Sequence, residues 1–456
     1  MGELILGISG IRGIVGTGLT AAKVRRLVEV WGRTFSGSVV VGRDSRPSGG
    51  EFQQAAIQKL LQQRHQVYRV NIVPTPTLGR AVRQWQASAG LQITASHNPP
   101  EWNGLKFFNA EGRVLPPEEA APLLEQFRVC VAEGSPCTET VSLEPVVADS
   151  PAVQECGEQA LQEHVNAVLA CVPVEKIRRR GFRVLVDGNG GAGGPLARQL
   201  LEALGCQVVA IHCEADGFFH HAPEPNPHSL EQVAVEVARH GCDLGIALDA
   251  DADRLVLLDE QGRCLSEEYS LALAVEARLR YEHGPVVTNL STSRVVEMVC
   301  QRYGCPCYRT PVGEAHVVAG MRTHRAILGG EGNGGIIDPR IGWVRDPFIG
   351  MALILQLLSE LGRPLSAVVS AFPSLVMRKE KLRLDGRDWP QARRQLLAGI
   401  VAESVDTRDG LYFRWADRWL HVRPSNTEPI VRIIAESPSE TDTNALVQLA
   451  LDTLAR

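Results

Sequence analysis

Leu244-Gly245-Ile246-Ala247-Leu248-Asp249-Ala250-Asp251-Ala252-Asp253-Arg254 is the stretch whose reading decides the fold. Its first five residues form an apolar run of strand length that empties at once into carboxylates at alternate positions. In an extended backbone residues i, i+2 and i+4 project to one side, so Asp249, Asp251 and Asp253 are expected to converge. Close like charges resist joint ionisation unless a cation neutralises them, and carboxylate oxygens completed by a phosphate suit Mg²⁺. An EF-hand also begins Asp-x-Asp-x-Asp, and Glu260 occupies its twelfth position. That template needs glycine where Arg254 stands, and Leu255 to Leu258 continue as a strand, so it is rejected. An aspartyl-phosphate phosphatase, which also sets Asp-x-Asp behind a buried strand, stays open on these residues alone.

Outward from this point strand and helix alternate. Thr20 caps a predicted helix carrying Val24, Leu27, Val28, Trp31 and Phe35 at helical spacing. Val39–Val41, Val67–Val73 and Leu91–Ile93 read as strands, and a proline-marked polar stretch near 135–151 marks a first boundary. A second series runs from Phe182–Val186 to Leu244–Leu248, and a third from Pro285–Leu290 to Ala326–Leu328. Such alternation implies mainly parallel sheets with helices on both faces. After Pro364 the strands crowd together (Leu375–Leu384, Leu411–Trp415, Trp419–Val422, Ile430–Ala435), with helices near 391–401 and 443–454. Length alone, 456 residues at about 150 per domain, predicts three domains. Texture predicts four: 1–150, 151–256, 257–366 and 367–456. The expected fold is α/β, with three related domains of mixed, mostly parallel sheets and a smaller C-terminal α+β domain. Open α/β sheets bind ligands beyond the carboxyl ends of their strands, so the four loop sets are expected to meet in one central cleft.

Three further loops carry chemistry. In Thr94-Ala95-Ser96-His97-Asn98-Pro99-Pro100 a serine sits in a proline-bounded loop without the G-x-S-x-G of a nucleophile elbow. Asn103-Gly104-Leu105-Lys106 follows closely enough to bring a cation beside it. With three metal-binding carboxylates nearby in function, a serine that carries a phosphoryl group explains this loop better than a plain turn. Gly329-Gly330-Glu331-Gly332-Asn333-Gly334-Gly335 combines close backbone approach to a ligand with an acceptor and an amide for hydroxyls. Arg423-Pro424-Ser425-Asn426-Thr427-Glu428-Pro429 offers a guanidinium, hydroxyls and turn N–H groups as a phosphate cradle. One rival is formally good: Gly188-x-Gly190-x-x-Gly193 after a strand, with Glu214 beyond the next, is a dinucleotide fingerprint. Asp187 before it and Pro195 after it speak against an NAD-dependent dehydrogenase, and it leaves the other loops unexplained.

Composition bounds the partners. Lys and Arg total 47 against 52 Asp and Glu, a net charge of −5, which excludes a nucleic-acid coat or a polybasic membrane anchor. No apolar run reaches a membrane span, and the N-terminus lacks a basic signal-peptide region. Eleven cysteines without paired metal spacing, Cys305 and Cys307 being the closest, read as reduced thiols of a cytoplasmic protein. The 43 glycines, against roughly 32 at ordinary usage, predict many tight turns or close approaches to a ligand.

Taken in order, Ser9-Gly10-Ile11-Arg12-Gly13, the Ser96 loop with Lys106, the Asp249–Arg254 loop, Gly329–Gly335 and Arg423–Pro429 resemble the α-D-phosphohexomutase superfamily. The resemblance runs over nearly the whole chain, from residue 7 to about 435. It implies four domains around a cleft and a phosphoserine at Ser96, with Asp249, Asp251 and Asp253 holding Mg²⁺ together with the serine phosphate. Arg12, His97 and Lys106 would complete the catalytic group, Lys106 as general acid/base. Arg254, Gly313, His316, Glu331 and Asn333 would serve the sugar, and Arg423, Ser425, Asn426 and Thr427 the phosphate that is not reacting. The implied reaction interconverts hexose 6-phosphate and hexose 1-phosphate through a bisphosphate, with hexose 1,6-bisphosphate as activator, in a monomer or homodimer. Asn333 and Gly335 depart from the Ser and His of many relatives, which leaves a second acid/base role without a holder. Glu428 favours glucosamine phosphate as substrate, while Asn426 departs from that pattern; mannose or glucose phosphate is the alternative.

Overall fold

The computed structural model describes residues 4–7, 10–132, 150–383, 388–425 and 430–455. The polar stretch used to mark the first boundary lies almost wholly outside them, as do Ser9, Leu384 and residues 426–429.

The first unit contains β1 (Leu4–Gly7), β2 (Gly10–Ile14), β3 (Ser38–Arg43), β4 (Gln66–Ile72), β5 (Ala89–Ile93), β6 (Trp102–Asn109) and β7 (Val153–Glu155). Their sheet order is 1-2-6-5-3-4-7, antiparallel on the β1–β5 side and parallel across β5, β3, β4 and β7. The second has β8 (Arg183–Asp187), β9 (Gln207–Ile211), β10 (Leu244–Leu248) and β11 (Leu255–Asp259), in the order 11-10-8-9. The third has β12 (Val286–Asn289), β13 (Cys307–Thr310), β14 (Leu328–Glu331) and β15 (Gly335–Ile337), in the order 13-12-14-15. Each of these two is parallel except for one antiparallel edge strand. The fourth is wholly antiparallel: β16 (Val376–Arg383), β17 (Ser404–Asp406), β18 (Leu411–Arg414), β19 (Trp419–Pro424) and β20 (Ile430–Ser437), with β20 beside β16. The α/β class and the strand-rich C-terminal unit are therefore as expected. Strand pairing places Val153–Glu155 with the first sheet and Leu255–Asp259 with the second. A few residues thus cross the divisions at 150/151 and 256/257, because hydrogen bonding rather than composition decides sheet membership.

Local chemistry accounts for the elements. The Thr20 hydroxyl accepts the Lys23 N–H and caps the helix Ala21–Gly32, whose Val24, Leu27, Val28 and Trp31 are buried. Phe35 lies past its end and packs edge-on against Trp31. All five residues of β10 are buried, as expected for a strand covered on both faces.

The second and third units share one continuous apolar core, reaching from Val184 and Leu248 through Leu271 to Phe348. The fourth has its own, around Leu411, Val431 and Val447, and meets the third through Leu290 packed with Tyr412, Trp419 and Ile434. Buried His164 pins three units at once: its Nδ1 meets Thr77 Oγ1 at 2.8 Å and its Nε2 meets Asp346 Oδ2 at 2.8 Å. The strand-end loops of the first three units meet one another, Ser96 against Asp249 and Leu255 against Gly334.

Candidate active site

Asp249, Asp251 and Asp253 are fully buried, and one oxygen from each lies within 4.8 Å of the others. The convergence is as expected, but not by an extended backbone. The chain turns, with Ala252 in the left-handed region at φ 49°, and Asp249 Oδ1 accepts the N–H of Asp253 at 3.0 Å and of Arg254 at 3.1 Å. A side chain bonding backbone a few residues on is how aspartate stabilises such turns.

The Gly188–Gly193 turn packs on this loop. Ala192 N donates to Ala250 O at 2.9 Å, and a Cβ on Gly193 would stand 2.5 Å from Ala252 Cβ. Asp187, which precedes the turn, is tied to His212 Nδ1 at 2.8 Å and His221 Nε2 at 2.6 Å. These glycines support the acidic loop from below, which accounts for them without a dinucleotide.

Asp251 Oδ2 accepts from Lys106 Nζ (2.6 Å) and Thr75 Oγ1 (2.6 Å), and Asp253 Oδ2 from Lys106 Nζ (2.9 Å) and Arg345 (2.6 Å). The Oδ1 atoms of both are buried without a hydrogen-bond partner. Buried acceptors are rarely left so, and two spare carboxylate oxygens beside a third carboxylate are the donor set of a hard divalent cation. Burial, then Asp253 and Asp251, push the Asp249 carboxyl well above the usual range. Burial acts in the same direction on Asp253, but Arg345, Lys106 and Arg254 overcome it and hold that carboxyl far below the range.

Ser96 follows β5 and is buried with φ 52°. Its Oγ donates to Asp249 Oδ2 at 3.2 Å and lies 3.3 Å from His97 Nδ1. A left-handed serine is strained unless its surroundings hold it, and here three residues do so. Thr94 Oγ1 accepts the Ser96 N–H at 2.9 Å and donates to Asp44 Oδ2 at 2.6 Å. Arg46, wholly buried, is paired with Asp44 at 3.1 Å and donates to the carbonyls of Ser96 (2.7 Å), Asn98 (2.6 Å), Pro99 (2.7 Å) and Trp102 (3.1 Å). Neither Asp44 nor Arg46 was among the expected site residues. Gly42-Arg43-Asp44-Ser45-Arg46-Pro47 at the end of β3 was the available signal.

Lys106 sits within strand β6, not in a loop, and is driven onto Asp251 and Asp253 instead of the serine hydroxyl. Burial works against its charge, but the two carboxylates outweigh it and keep the ammonium form. Arg12 pairs across β2 and β6 with Gly104 and donates to Asn98 Oδ1 at 2.8 Å. Gly104 is required there, since a Cβ would lie 2.3 Å from Ile11 O and 2.6 Å from Thr94 O. His97 Nδ1 accepts from Arg254 at 2.9 Å. The charge of Arg254, then burial, then Arg12 hold the imidazole neutral well below its ordinary range.

Glu331 ends β14, in a hairpin that is buried rather than flexible. Its Oε1 accepts from Asn289 Nδ2 (2.8 Å) and Gly313 N (3.0 Å), and its Oε2 from Arg345 (3.1 Å). Leu255 N donates to Gly334 O at 3.0 Å, joining this hairpin to the end of the acidic loop. Asn333 turns inward on its own hairpin, accepting Gly335 N–H at 3.2 Å. His316 lies half-buried on the first turn of the helix Glu314–His324, with its ring over Gly313. Arg423 Nε donates to Asp409 Oδ1 at 3.1 Å, and Asp409 Oδ2 takes Val312 N–H at 2.9 Å, so the fourth unit reaches the turn before that helix. Ser425 N donates to Ile430 O at 2.9 Å; Asn426 and Thr427 lie outside the described residues. Thr75, Asn289 and Arg345 were not anticipated, each being a single polar residue without a motif around it, whereas Glu314 belongs to the Gly313–His316 segment that the resemblance assigns to the sugar.

Models described as phosphoglucomutase/phosphomannomutase alpha/beta/alpha domains I, II and III match residues 3–129, 162–262 and 266–375, and the C-terminal domain of the same family matches 376–452. The chain belongs to the phosphoglucomutase/phosphomannomutase family. It is thus an enzyme of the α-D-phosphohexomutase superfamily. A protein named probable phosphoglucosamine mutase from Methanopyrus kandleri is 35% identical, over 99% of this chain and 97% of its own. A phosphoglucomutase/phosphomannomutase of Thermococcus kodakarensis is 33% identical, over 100% of this chain and 99% of its own. Among solved structures, a phosphoglucomutase/phosphomannomutase family protein from Burkholderia thailandensis superposes with a TM-score of 0.84 at 25% identity, over 99% of this chain and 96% of that one. Among the described residues of this family member no helix is long and apolar enough to cross a membrane.

Proposed function

We propose that this phosphohexomutase interconverts the 6- and 1-phosphates of a hexose through phosphoserine at Ser96, with glucosamine phosphate as preferred substrate. The observation that carries the mechanism is Ser96 Oγ, held in a strained loop 3.2 Å from Asp249 Oδ2, beside buried Oδ1 atoms of Asp251 and Asp253 that accept no hydrogen bond. Mg²⁺ is the cation those oxygens suit, and when bound it supplies charge neutralisation for the transferring phosphoryl group.

The chain's own residues supply the rest. The bond from phosphorus to Ser96 Oγ breaks as one forms to the sugar hydroxyl. Lys106, kept as an ammonium by Asp251 and Asp253, acts as the general acid/base: it gives a proton to the departing serine oxygen and takes up the proton of the attacking hydroxyl, while His97 Nδ1 orients Arg254 beside the serine. Arg12 and Arg254 oppose the phosphoryl charge. The resulting hexose 1,6-bisphosphate turns in the cleft, Glu331 and Asn333 meeting its hydroxyls in both orientations, and returns its other phosphate to Ser96. Arg423, Ser425, Asn426 and Thr427 grip the phosphate that is not reacting. Added hexose 1,6-bisphosphate activates by phosphorylating Ser96. Ten described cysteines are free thiols, in keeping with a cytoplasmic enzyme. Glucosamine phosphate is favoured by Glu428 and by the name of the Methanopyrus kandleri relative.

The test is intact-mass measurement together with assay. The native protein carries one phosphate, and Ser96→Ala carries none and loses at least about 10⁴-fold in kcat. Full mutase activity of that variant in the presence of bisphosphate would falsify the mechanism. Comparing kcat/KM for glucosamine, mannose and glucose 1-phosphates decides the sugar.

A further inference from the structure

We infer that Arg345 is a positioning residue that occupies the space left open by Gly335 and ties the acidic loop to the sugar hairpin, so that cation and sugar phosphate bind interdependently. The inference rests on the mutase reading above.

A Cβ on Gly335 would fall 2.3 Å from Arg345 Cδ and 2.9 Å from its Cγ, so the arginine runs through the volume a larger residue at 335 would fill. Its backbone is anchored from the other side. The next residue, Asp346, caps the helix Pro347–Leu361 through Phe348 N and Ile349 N and pairs with His164, while the Arg345 N–H donates to Glu314 Oε1 at 2.9 Å. From there the buried guanidinium spreads over three carboxylates. It donates to Asp253 Oδ2 at 2.6 Å and Glu331 Oε2 at 3.1 Å, and its Nε lies 3.5 Å from Glu314 Oε2. Asp253 belongs to the metal loop, Glu331 to the sugar hairpin and Glu314 to the start of a helix beside it.

One positive charge is thus divided among three negative groups, and Asp253 draws on Lys106 as well. Arginine suits this place because its planar fork engages two carboxylates at once in fixed geometry. A divalent cation taken up at the spare Oδ1 of Asp253 reduces the hold of that carboxylate on the guanidinium. Arg345 then bonds more firmly to Glu331 and Glu314 and fixes them for the sugar. Coupling of this kind is reciprocal, so the sugar phosphate tightens cation binding by the same factor. Without the guanidinium, Glu331 and Glu314 lie close together without a shared cation and lose their link to the metal loop.

Calorimetric titrations in a Ser96→Ala background, where no phosphoryl group is transferred, test this directly. Glucosamine 6-phosphate and inorganic phosphate are each titrated with and without Mg²⁺. Inorganic phosphate reports the direct attraction of cation for anion; the sugar phosphate adds the part carried through the sugar hairpin. The expected result is that Mg²⁺ tightens the sugar phosphate at least about 5-fold more than inorganic phosphate. Arg345→Gln abolishes that excess. Gly335→Ala does so too, because its methyl group displaces the arginine while leaving its charge, and this variant carries the test if Arg345→Gln fails to fold. Persistence of the excess in both variants, or its absence from the Ser96→Ala parent, overturns the inference. Isomer formation by the unmodified enzyme is assayed separately: its absence removes the mutase reading, whereas a working mutase whose variants keep the excess removes only the role of Arg345.

Discussion

Arg46 shows how much of the site's precision rests on a residue that need not touch substrate. Its side chain feeds four backbone carbonyls of the serine loop and is itself held by Asp44. Lysine keeps the charge but presents a single ammonium in place of a fork, so Arg46→Lys leaves buried carbonyls unpaired at about 1–3 kcal/mol each. Released from the left-handed conformation, Ser96 shifts away from Asp249. A displacement of about 1 Å at a reacting atom costs on the order of 10²-fold in rate, and steady-state assay should show that loss in kcat with little change in KM. Ser96, the three aspartates and Lys106 were legible in the sequence because each stands in a dense run of functional groups. Arg46, Thr75 and Arg345 were not, because an isolated arginine or threonine looks the same whether it meets solvent or a buried carboxylate.

Among elements, the turn Gly188–Gly193 and the acidic loop form a pair. The first looked like a cofactor motif because glycine permits close approach regardless of what approaches, whether a pyrophosphate or another loop. Gly193 has an ordinary helix-like φ of −85°, so alanine there meets no backbone strain and acts by contact with Ala252 Cβ and Leu248 Cδ1. Gly193→Ala therefore pushes the turn that aligns Asp251 and Asp253, and calorimetry should find Mg²⁺ affinity lowered about 10-fold or more with far-UV circular dichroism unchanged. The strand-to-loop transitions at β5, β10 and β14 were readable from apolar runs meeting polar clusters. The position of Lys106 inside β6 was not, since Asn103-Gly104-Leu105-Lys106 has loop-like composition and becomes strand only by pairing with β2 and β5.

On the scale of the whole molecule, the fourth unit is joined to the others by polar contacts more than by core. Lys379 of β16 donates to Glu267 Oε1 at 2.8 Å and Glu268 Oε1 at 3.3 Å, and Glu268 also accepts Ser293 N at 2.8 Å. Burial raises the Glu268 carboxyl from its ordinary value to about 7, against the pull of Lys379. A carboxyl raised on folding contributes stability that is complete below its unfolded pKa, near 4.5, and is lost as pH rises through the folded value of about 7. Glutamine cannot titrate. Urea midpoints of wild type and Glu268→Gln should therefore diverge in favour of the variant between about pH 4.5 and 7.5, by an amount of order 3 kcal/mol; parallel curves would show that Glu268 does not titrate there. By itself the sequence determined the α/β order, the four-unit texture and the Ser96, acidic and glycine-rich loops, because periodicity and dense polar clusters are local properties of a chain. Only the tertiary structure decided which carboxylate each cation serves, that Arg345 fills the space beside Gly335, and that the second glycine turn supports the acidic loop. Those pairings join residues far apart in the chain, Lys106 and Asp253 being 147 positions apart, and arise from how sheets pack and exclude water, which no local window of sequence contains.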